Sequence, residues 1–358
     1  MANENYYPLR LQAVQKEMVW GGRKLERIVG KSLAPNKLIG ETWEAWDGCV
    51  VENGVHQGQK LQDVIAQDPI GLLGTTDARF PLLYKFIDAQ NDLSVQVHPH
   101  DAQAQSMEHY PFGKTEAWYI LDAEPDAKLI LGFKRSVTRD DIVTALNDKT
   151  LVNLMSFVPV KRDDVIFVPA GTVHAICKGI VVAEIQESSD ITYRFYDWDR
   201  QIKGRELHID QSLRVFSGEP VPQPRVPSLT LHHTAFDEHF LVACKYFLLT
   251  MFDVHDRADG LNTNGKFQII SVIEGMTEIR YGTNKALGVK VKQGQAFLLP
   301  AQMGEYAIEA RHAKLLRMFV PNLRADVIDR LKEFYSLDEI IRLGGSIQAH
   351  NDLLALIA

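Results

Sequence analysis

Apolar and polar positions alternate in short runs along the first half of the chain, and Gly, Pro, Asn or Asp separate the runs. Alternation with a period of two is typical of β-strands, which send successive side chains to opposite faces. Six runs are rich in β-branched and aromatic residues: RFPLLYKFIDA (79–89), LSVQVHP (93–99), TEAWYIL (115–121), AKLILGF (127–133), DVIFVPA (164–170) and IVVAEIQ (180–186). Short strands at this spacing predict a mainly β protein, organised as an antiparallel sandwich or barrel.

Helical periodicity occurs in two further stretches. Residues 138–157 begin with Thr138 followed by acidic residues, which is the signature of a capped helix start, and they predict a short helical insert. Residues 324–344 predict terminal helices that end near Gly344. The helices are therefore expected to be additions to a β framework.

A proline-rich segment divides the chain. Residues 218–227 (GEPVPQPRVP) contain four prolines, and proline fixes φ and lacks a backbone donor, so this segment predicts a semi-rigid linker. We expect an N-terminal domain at residues 1–217 and a C-terminal domain at residues 228–358.

The two parts share a weak repeat. The segment DVIFVPAGTVHAI (164–176) resembles QAFLLPAQMGEYAI (295–308), with an apolar strand, a Pro-Ala turn and a second strand in each. Glu305 and Tyr306 of the second copy stand where the first copy has His174. We therefore expect the chemistry in the first copy, and the second to be structural or to form a wall of the site.

Polar residues follow one face of the strand predicted at LSVQVHPHD (93–101). Ser94, Gln96 and His98 alternate with Val95 and Val97, so they share a face. Polar side chains that point into a β-sandwich must be satisfied by each other, by water or by an ion. The pattern raises the possibility that this row faces a bound ligand.

Four residues in separate strand-like segments offer donors for a metal ion: Gln96, His98, Glu116 and His174. Imidazole nitrogen and carboxylate oxygen are a normal set for catalytic zinc, which keeps one position for water or substrate. Iron, manganese and nickel use similar ligands, so the donor set ranks zinc first without excluding them. A single histidine is more often a surface or hydrogen-bonded residue, and only the combination favours a metal site.

The segment EIQESSDITYRFYDWDR (184–200) follows closely in sequence. Glu184 ends an apolar run on a strand expected to border the cavity, and Arg194 is a cation between two aromatic residues, which suits recognition of an anion. The other charged residues of this segment are interpreted as surface ion pairs: Glu187, Asp197, Asp199 and Arg200.

Composition narrows the class of protein. The 358 residues carry a formal net charge of -7 with dispersed Lys and Arg, so no nucleic-acid footprint is indicated. No signal peptide is recognisable and no apolar run approaches the roughly 18 residues of a membrane span. Three cysteines without a CxxC pair suit a reducing compartment, so we expect a cytoplasmic protein. Glycine-rich nucleotide loops and a GxSxG element are absent from the sequence.

Several spaced segments together resemble one family, the type I mannose-6-phosphate isomerases of the short bacterial form. They are WGG (20–22), GETWE (40–44), LSVQVHP (93–99), GKTEAWYI (113–120), VPAGTVHAI (168–176) and EIQESSDITYRFYDWDR (184–200). The resemblance implies a tandem cupin, two jelly-roll β-barrels with short helical additions. It further implies interconversion of D-mannose 6-phosphate and D-fructose 6-phosphate, with one zinc ion per chain.

The resemblance also implies roles for individual residues. Zinc would be bound by Gln96, His98, Glu116 and His174, Arg194 would be the catalytic arginine, and Ser94, Lys114, Glu184 and Asp190 would line the substrate site. The sequence departs from the family in two places. Only 57 residues separate Glu116 from His174, which excludes the large helical domain of fungal members, and His100 stands where an acidic residue commonly follows His-Pro.

Two other interpretations remain at this stage. One is another metal-dependent cupin enzyme, either an oxygenase or a different sugar isomerase or epimerase, although an oxygenase more often offers an HxH pair where this chain has QVH. The other is a non-catalytic bicupin that binds a sugar phosphate. The sequence leaves open which group moves the proton, among Glu184, Asp190, His100 and a metal-bound water. The oligomeric state is also open, with a monomer favoured.

Overall fold

Three antiparallel sheets form the framework of the molecule. The structure is a computed structural model, and it describes residues 6–200, 202 and 205–356. The first half of the chain supplies a six-stranded sheet in the order β10-β7-β12-β5-β3-β2 and a five-stranded sheet in the order β13-β6-β11-β8-β9. The eleven-stranded sheet follows the path β14-β15-β16-β22-β18-β20-β1-β4, with β17, β19 and β21 attached beside it. The predicted mainly β class is confirmed.

The described strands are β1 Leu9–Gln12, β2 Val14–Gly22, β3 Ile39–Ala45, β4 Val50–Val51, β5 Leu82–Ala89, β6 Val95–Val97, β7 Glu116–Ala123, β8 Lys128–Phe133, β9 Met155–Pro159, β10 Val165–Val168, β11 His174–Ile176, β12 Ile180–Glu187, β13 Tyr193–Tyr196, β14 Leu229–His232, β15 Phe236–Ala243, β16 Leu248–Val254, β17 Arg257–Asn262, β18 Gln268–Tyr281, β19 Leu287–Lys292, β20 Ala296–Leu299, β21 Glu305–Glu309 and β22 Ala313–Phe319. The α-helices are α1 Lys24–Ile28, α2 Leu61–Gln67, α3 Pro69–Leu73, α4 Asp101–Glu108, α5 Arg139–Asn147, α6 Leu151–Leu154, α7 Ile209–Val215, α8 Asp329–Leu331 and α9 Leu337–Ile340. Across the described residues, no helix combines the length and apolarity needed to span a membrane.

The two sheets of the first half face each other across an apolar layer. Trp118 and Ile120 from the six-stranded sheet pack with Leu129, Leu131 and Ile176 from the five-stranded sheet. The opposite face of the six-stranded sheet is also buried, because Tyr84 and Phe86 belong to a large core shared with the eleven-stranded sheet. Burial on both faces explains why β5 and β12 are buried along their whole length.

Strand β1, from the start of the described chain, belongs to the eleven-stranded sheet, which the second half of the chain mainly builds. In β1, Leu9 pairs with Leu298 of β20, and Leu11 pairs with Val51 of β4. The proline-rich segment at 218–227 also follows the first half closely, since Arg225 contacts Asp164 at 2.9 Å. The division at this segment remains a prediction.

The two helical patterns form shorter helices than their periodicity suggests. Thr138 caps α5 through a reciprocal capping box with Asp141, but the last residues of the pattern pair with β8 as part of β9. The C-terminal pattern is broken into short pieces, and Ser336 starts a new helix, α9, by capping its first turn. Gly345, one residue beyond the expected end, takes the positive φ of 80° that glycine tolerates.

A buried cluster of ion pairs lies in the second half of the chain. Glu238 is buried and accepts hydrogen bonds from Arg317 at 2.5 Å and from both terminal nitrogens of Arg330. Tyr306, the counterpart of His174 in the repeat, is fully buried and donates to Gln268 at 2.6 Å. Burial opposes ionisation of Glu238, but the two arginines outweigh it and lower its pKa.

Removing the Glu238 carboxylate should destabilise the protein strongly. Glu238→Ala leaves the Arg317 guanidinium buried without its partner, and we expect a loss of about 3–5 kcal/mol in unfolding free energy. Urea denaturation followed by circular dichroism measures this loss. Glu17→Ala is the matched control, because its pair with Lys37 is exposed on both sides and should change stability by under about 1 kcal/mol. A Glu238→Ala loss no larger than that of the control would contradict the expectation.

Candidate metal centre and substrate cavity

Strand register places the candidate donors in one row across the five-stranded sheet. Gln96 of β6 pairs directly with His174 of β11 on one side and with Arg194 of β13 on the other. Residues directly opposite each other in antiparallel strands point to the same face. The three side chains therefore share one face, and Arg194 lies beside the donor row.

A second row faces the first from the six-stranded sheet. Trp43, Lys85, Glu184 and Trp118 are successive cross-strand partners on β3, β5, β12 and β7. Two residues before Trp118 along β7 is Glu116, which therefore points to the same face of the sheet. The space between the two rows receives imidazole, carboxamide, carboxylate, ammonium and guanidinium groups.

His98, Glu116 and His174 form a cluster whose ligand atoms lie within 4.8 Å of one another. Nε2 of His174 is 3.2 Å from Oε1 of Glu116, and Nε2 of His98 is 3.7 Å from Oε2. Nδ1 of each ring lies near a backbone carbonyl, at 2.8 Å from Ile191 for His98 and at 2.9 Å from Thr172 for His174. Such a contact favours the tautomer with the proton on Nδ1, so the lone pair of Nε2 is directed toward the cluster.

The environment of the Glu116 carboxylate indicates whether these residues suit a metal ion. Both of its carboxylate oxygens are buried; Oε2 lies 3.0 Å from Nζ of Lys114, and Oε1 lies 3.2 Å from Nε2 of His174. Burial opposes its ionisation, but Lys114 and the two histidines outweigh burial and hold its pKa well below the usual range. A buried, ionised carboxylate beside two buried imidazoles fits a divalent cation.

Burial and the neighbouring Lys114 also lower the pKa of His98 well below its ordinary value. A histidine ligates a metal only as the neutral imidazole, so this direction suits ligation. Gln96 lies next in the row, with Nε2 3.3 Å from Nε2 of His174. A half-turn of its carboxamide exchanges nitrogen for oxygen, and the oxygen is the atom that ligates a cation.

A cavity of about 290 Å³ opens beside this cluster. Its lining includes six residues selected from the sequence: Ser94, Gln96, Lys114, Glu184, Asp190 and Arg194. The cluster adjoins the cavity, because Lys114 lines the cavity and contacts both His98 and Glu116, and Gln96 lines it and contacts His174. The structure thus brings the nine predicted site residues into one region.

Other residues that line the cavity were not selected from the sequence, among them Glu41, Lys85, Trp118 and Arg205. Lys85 is buried, with Nζ 3.0 Å from Glu184 and 3.7 Å from Glu41. A signal was present, because Lys85 interrupts the apolar run LLYKFI, where an ionisable residue requires a buried partner. The contribution of Glu41 depends on contacts between distant segments and has no such local signal.

Glu184 is held by two donors. Nζ of Lys85 contacts one carboxylate oxygen at 3.0 Å, and the Trp118 indole donates to the other at 2.7 Å. Burial and the nearby charge of Glu116 raise the pKa of Glu184, while Lys85 opposes them. The carboxylates around Lys85 outweigh its burial and raise its pKa, so it remains protonated.

Arg194 presents a half-buried guanidinium whose Nε is buried and lacks a hydrogen-bond partner among the described residues. Arg205, by contrast, is engaged by Asp197 through two contacts of 3.0 and 3.1 Å. Of these two cavity arginines, Arg194 is therefore the freer one to bind an anion.

Two further expectations can be compared with the structure. The interpretation of Glu187 and Asp197 as surface residues is wrong, since both are buried. Glu187 contacts Asp101 and the backbone of Thr115, and burial with the neighbouring Asp101 raises the pKa of Glu187 to about 9. His100 caps α4 and lines a different cavity, so it lies outside the substrate cavity.

Comparison with known proteins gives consistent matches. Residues 9–131 match the family model "Phosphomannose isomerase type I, catalytic domain", and residues 237–320 match "Mannose-6-phosphate isomerase, cupin domain". The mannose-6-phosphate isomerase ManA of Bacillus subtilis is 37% identical over 313 residues, which cover 84% of this chain and 96% of the relative.

Solved structures agree with these matches. The crystal structure of the mannose 6-phosphate isomerase from Bacillus subtilis superposes with a TM-score of 0.79 at 32% identity, covering 87% of this chain and 99% of that one. A mannose 6-phosphate isomerase bound with zinc and yttrium shares the fold, with a TM-score of 0.69 at 15% identity and coverage of 87% and 99%. The chain therefore has the cupin fold and belongs to the type I mannose-6-phosphate isomerase family, a family of isomerases.

Proposed function

We propose that the protein is a zinc-dependent aldose-ketose isomerase that interconverts D-mannose 6-phosphate and D-fructose 6-phosphate through a cis-enediol. The observation that carries the proposal is the buried, ionised Glu116 carboxylate, which lies between two buried imidazoles beside a charged cavity. The names of the relatives supply the substrate pair.

One zinc ion per chain would be held by His98, Glu116 and His174, with Gln96 as the fourth ligand. Two imidazoles with carboxylate and carboxamide oxygens suit zinc better than softer or harder cations. The zinc bound to a solved protein of the same fold is consistent with this choice. When bound, the ion supplies positive charge that stabilises the oxygens at C1 and C2 of the sugar.

Glu184 is proposed to move the proton between C1 and C2. A general base must accept and return a proton, and burial together with the nearby charge of Glu116 raises the pKa of Glu184, which favours proton uptake. Trp118 and Lys85 fix its two oxygens in place. Among the groups left open by the sequence, His100 is set aside because it lies in another cavity.

The remaining cavity residues bind and orient the substrate. Arg194 offers a planar set of donors for the phosphate or for the negative charge of the enediolate. Lys114, buried beside Glu116, adds a second cation near the reacting carbons. Ser94 and Asp190 supply a hydroxyl and a carboxylate for the sugar hydroxyls. A small sugar phosphate fits this arrangement of cations around a cavity of about 290 Å³.

We also propose a cytoplasmic location. Cys49, Cys177 and Cys244 are all buried and free, which suits a compartment that keeps thiols reduced. Cytoplasm is also where small sugar phosphates are available to an enzyme.

The first experiment measures turnover and metal content together. A coupled assay of the purified protein on mannose 6-phosphate should show activity that a chelator abolishes and zinc restores. His174→Ala should lose both bound zinc and turnover, because it removes a donor from the buried cluster. His232→Ala is the control, since that imidazole is exposed on the second half of the chain. Full activity in the metal-free protein would refute the zinc proposal, and binding without turnover would favour a non-catalytic bicupin.

Replacing Glu184 tests the proton transfer. Glu184→Gln keeps the shape of the side chain and an acceptor for Trp118, but it removes the base, so kcat should fall by about 10²- to 10⁴-fold with zinc content unchanged. Exchange of substrate hydrogen with deuterated water should fall in parallel. Glu187→Gln is the matched control, because a carboxyl group with a pKa of about 9 is already neutral at pH 7. Retained exchange in Glu184→Gln would remove this residue from the step.

Replacing Arg194 tests charge stabilisation. Arg194→Ala should lower kcat by about 10²- to 10³-fold while one zinc per chain remains bound, because the lost donors face the substrate and not the metal cluster. Arg135→Ala serves as the comparison, since that arginine is exposed on the surface. Unchanged turnover in Arg194→Ala would exclude Arg194 from the mechanism.

A further inference from the structure

A row of charged residues runs across neighbouring strands of the eleven-stranded sheet, from β14 to β18. Strand register sets His232 opposite Asp237, Asp237 opposite Asp253, Asp253 opposite Lys314 and Lys314 opposite Glu274. Two aspartates placed directly opposite each other are destabilising unless a positive charge lies near them. His232 contacts Asp237 at 2.9 Å, which leaves Asp253 as the carboxylate to be explained.

Two histidines face Asp253. His255 follows β16, and His312 precedes β22, the strand that pairs with β16 at this end. Nδ1 of His255 is 3.8 Å and Nδ1 of His312 is 3.9 Å from the same atom, Oδ1 of Asp253. These distances are too long for hydrogen bonds, and Oδ1 is buried without a partner. Two imidazole nitrogens thus point at one unsatisfied carboxylate oxygen.

Glu274 and Lys314 lie next to His312 and Asp253 and bear on how these two side chains could bind a metal. Nε2 of His312 lies 3.3 Å from Oε1 of Glu274, so a proton on Nε2 leaves the lone pair of Nδ1 directed at the cluster. Glu274 follows an irregularity in β18, and Gly275 beside it has a φ of 79° that accommodates the close approach of the His312 carbonyl. Lys314 approaches only the other oxygen of Asp253, at 4.0 Å.

We propose that Asp253, His255 and His312 form a second metal site, which binds a divalent transition-metal ion of the zinc, nickel or copper type. The three ligand atoms lie within 4.8 Å of one another, and both histidines are about half exposed, so an ion from solvent can reach them. Two nitrogens and one oxygen match the preference of these ions over calcium or magnesium.

The second site is separate from the proposed catalytic metal. Its residues lie on β16, β22 and their adjoining turns, and none of them lines the substrate cavity. Its histidines are about half exposed, whereas His98 and His174 are buried. The surface site therefore exchanges metal with solvent more freely than the buried one and keeps coordination positions for water. It goes beyond the isomerase reaction, which does not require it.

The test is a calorimetric titration of Zn²⁺ into the full-length protein after its buried site has been loaded with zinc and excess metal removed. We expect one additional zinc per chain. His255→Ala, His312→Ala and Asp253→Asn should each weaken this binding by at least about 10-fold, since each removes one donor. His232→Ala is the matched control, because its exposed imidazole lies on the same sheet outside the cluster.

Each outcome decides for or against the site. Additional binding that His232→Ala retains and the three cluster variants lose would support it. A zinc-loaded protein that takes up no further zinc would overturn the proposal, and so would additional binding that survives both histidine substitutions. The readout is metal uptake at a surface cluster, so failure here leaves the isomerase proposal untouched, and failure of the isomerase assay leaves this result interpretable.

Discussion

The ionised carboxylate of Glu116 is the constraint on which the first half of the molecule depends. A buried charge is costly, and only compensating groups or an ion make it tolerable. Lys114 contacts one oxygen and the two imidazoles flank the carboxylate, so three separate chain segments must reach one point. Those segments belong to both sheets, and a cation bound there would hold the sandwich together as well as serve the reaction.

Register converts this local requirement into a reaction site. The pairing of β6 with β11 and β13 aligns the donor row, and the pairing of β12 with β5 and β7 aligns Lys85, Glu184 and Trp118 on the facing sheet. A slip of one residue in either sheet would turn these side chains to the opposite face. The apolar core between the sheets specifies which face of each strand points inward. It thereby determines indirectly which polar side chains face the cavity.

The sequence predicted those site residues that have a local pattern, but not those whose position depends on pairing between distant segments. Gln96 and His98 alternate with valines, so their common face was readable from the chain, and Lys85 was readable in principle as a charge within an apolar run. The burial of Glu187 could not be predicted from the chain, because it arises from contact with Asp101 and Thr115 in other segments.

The same limit applies to the helices and to the second metal cluster. The start of α5 was predictable because its cap is local, whereas its early end reflects pairing of β9 with β8. Asp253 and His312 are far apart in sequence and are brought together by the register of β16 with β22. A spacing pattern in the sequence therefore does not predict this cluster.

The pairing of β1 with β20 has a consequence for how the chain matures. Leu9 and Arg10 are synthesised about 290 positions before their pairing partners, Leu298 and Phe297. Until then the edge they should cover stays open, and an open edge is a template for association with other chains. The pairing of β1 with β20 therefore forms late in synthesis, and the nascent chain carries this exposed edge until β20 has emerged.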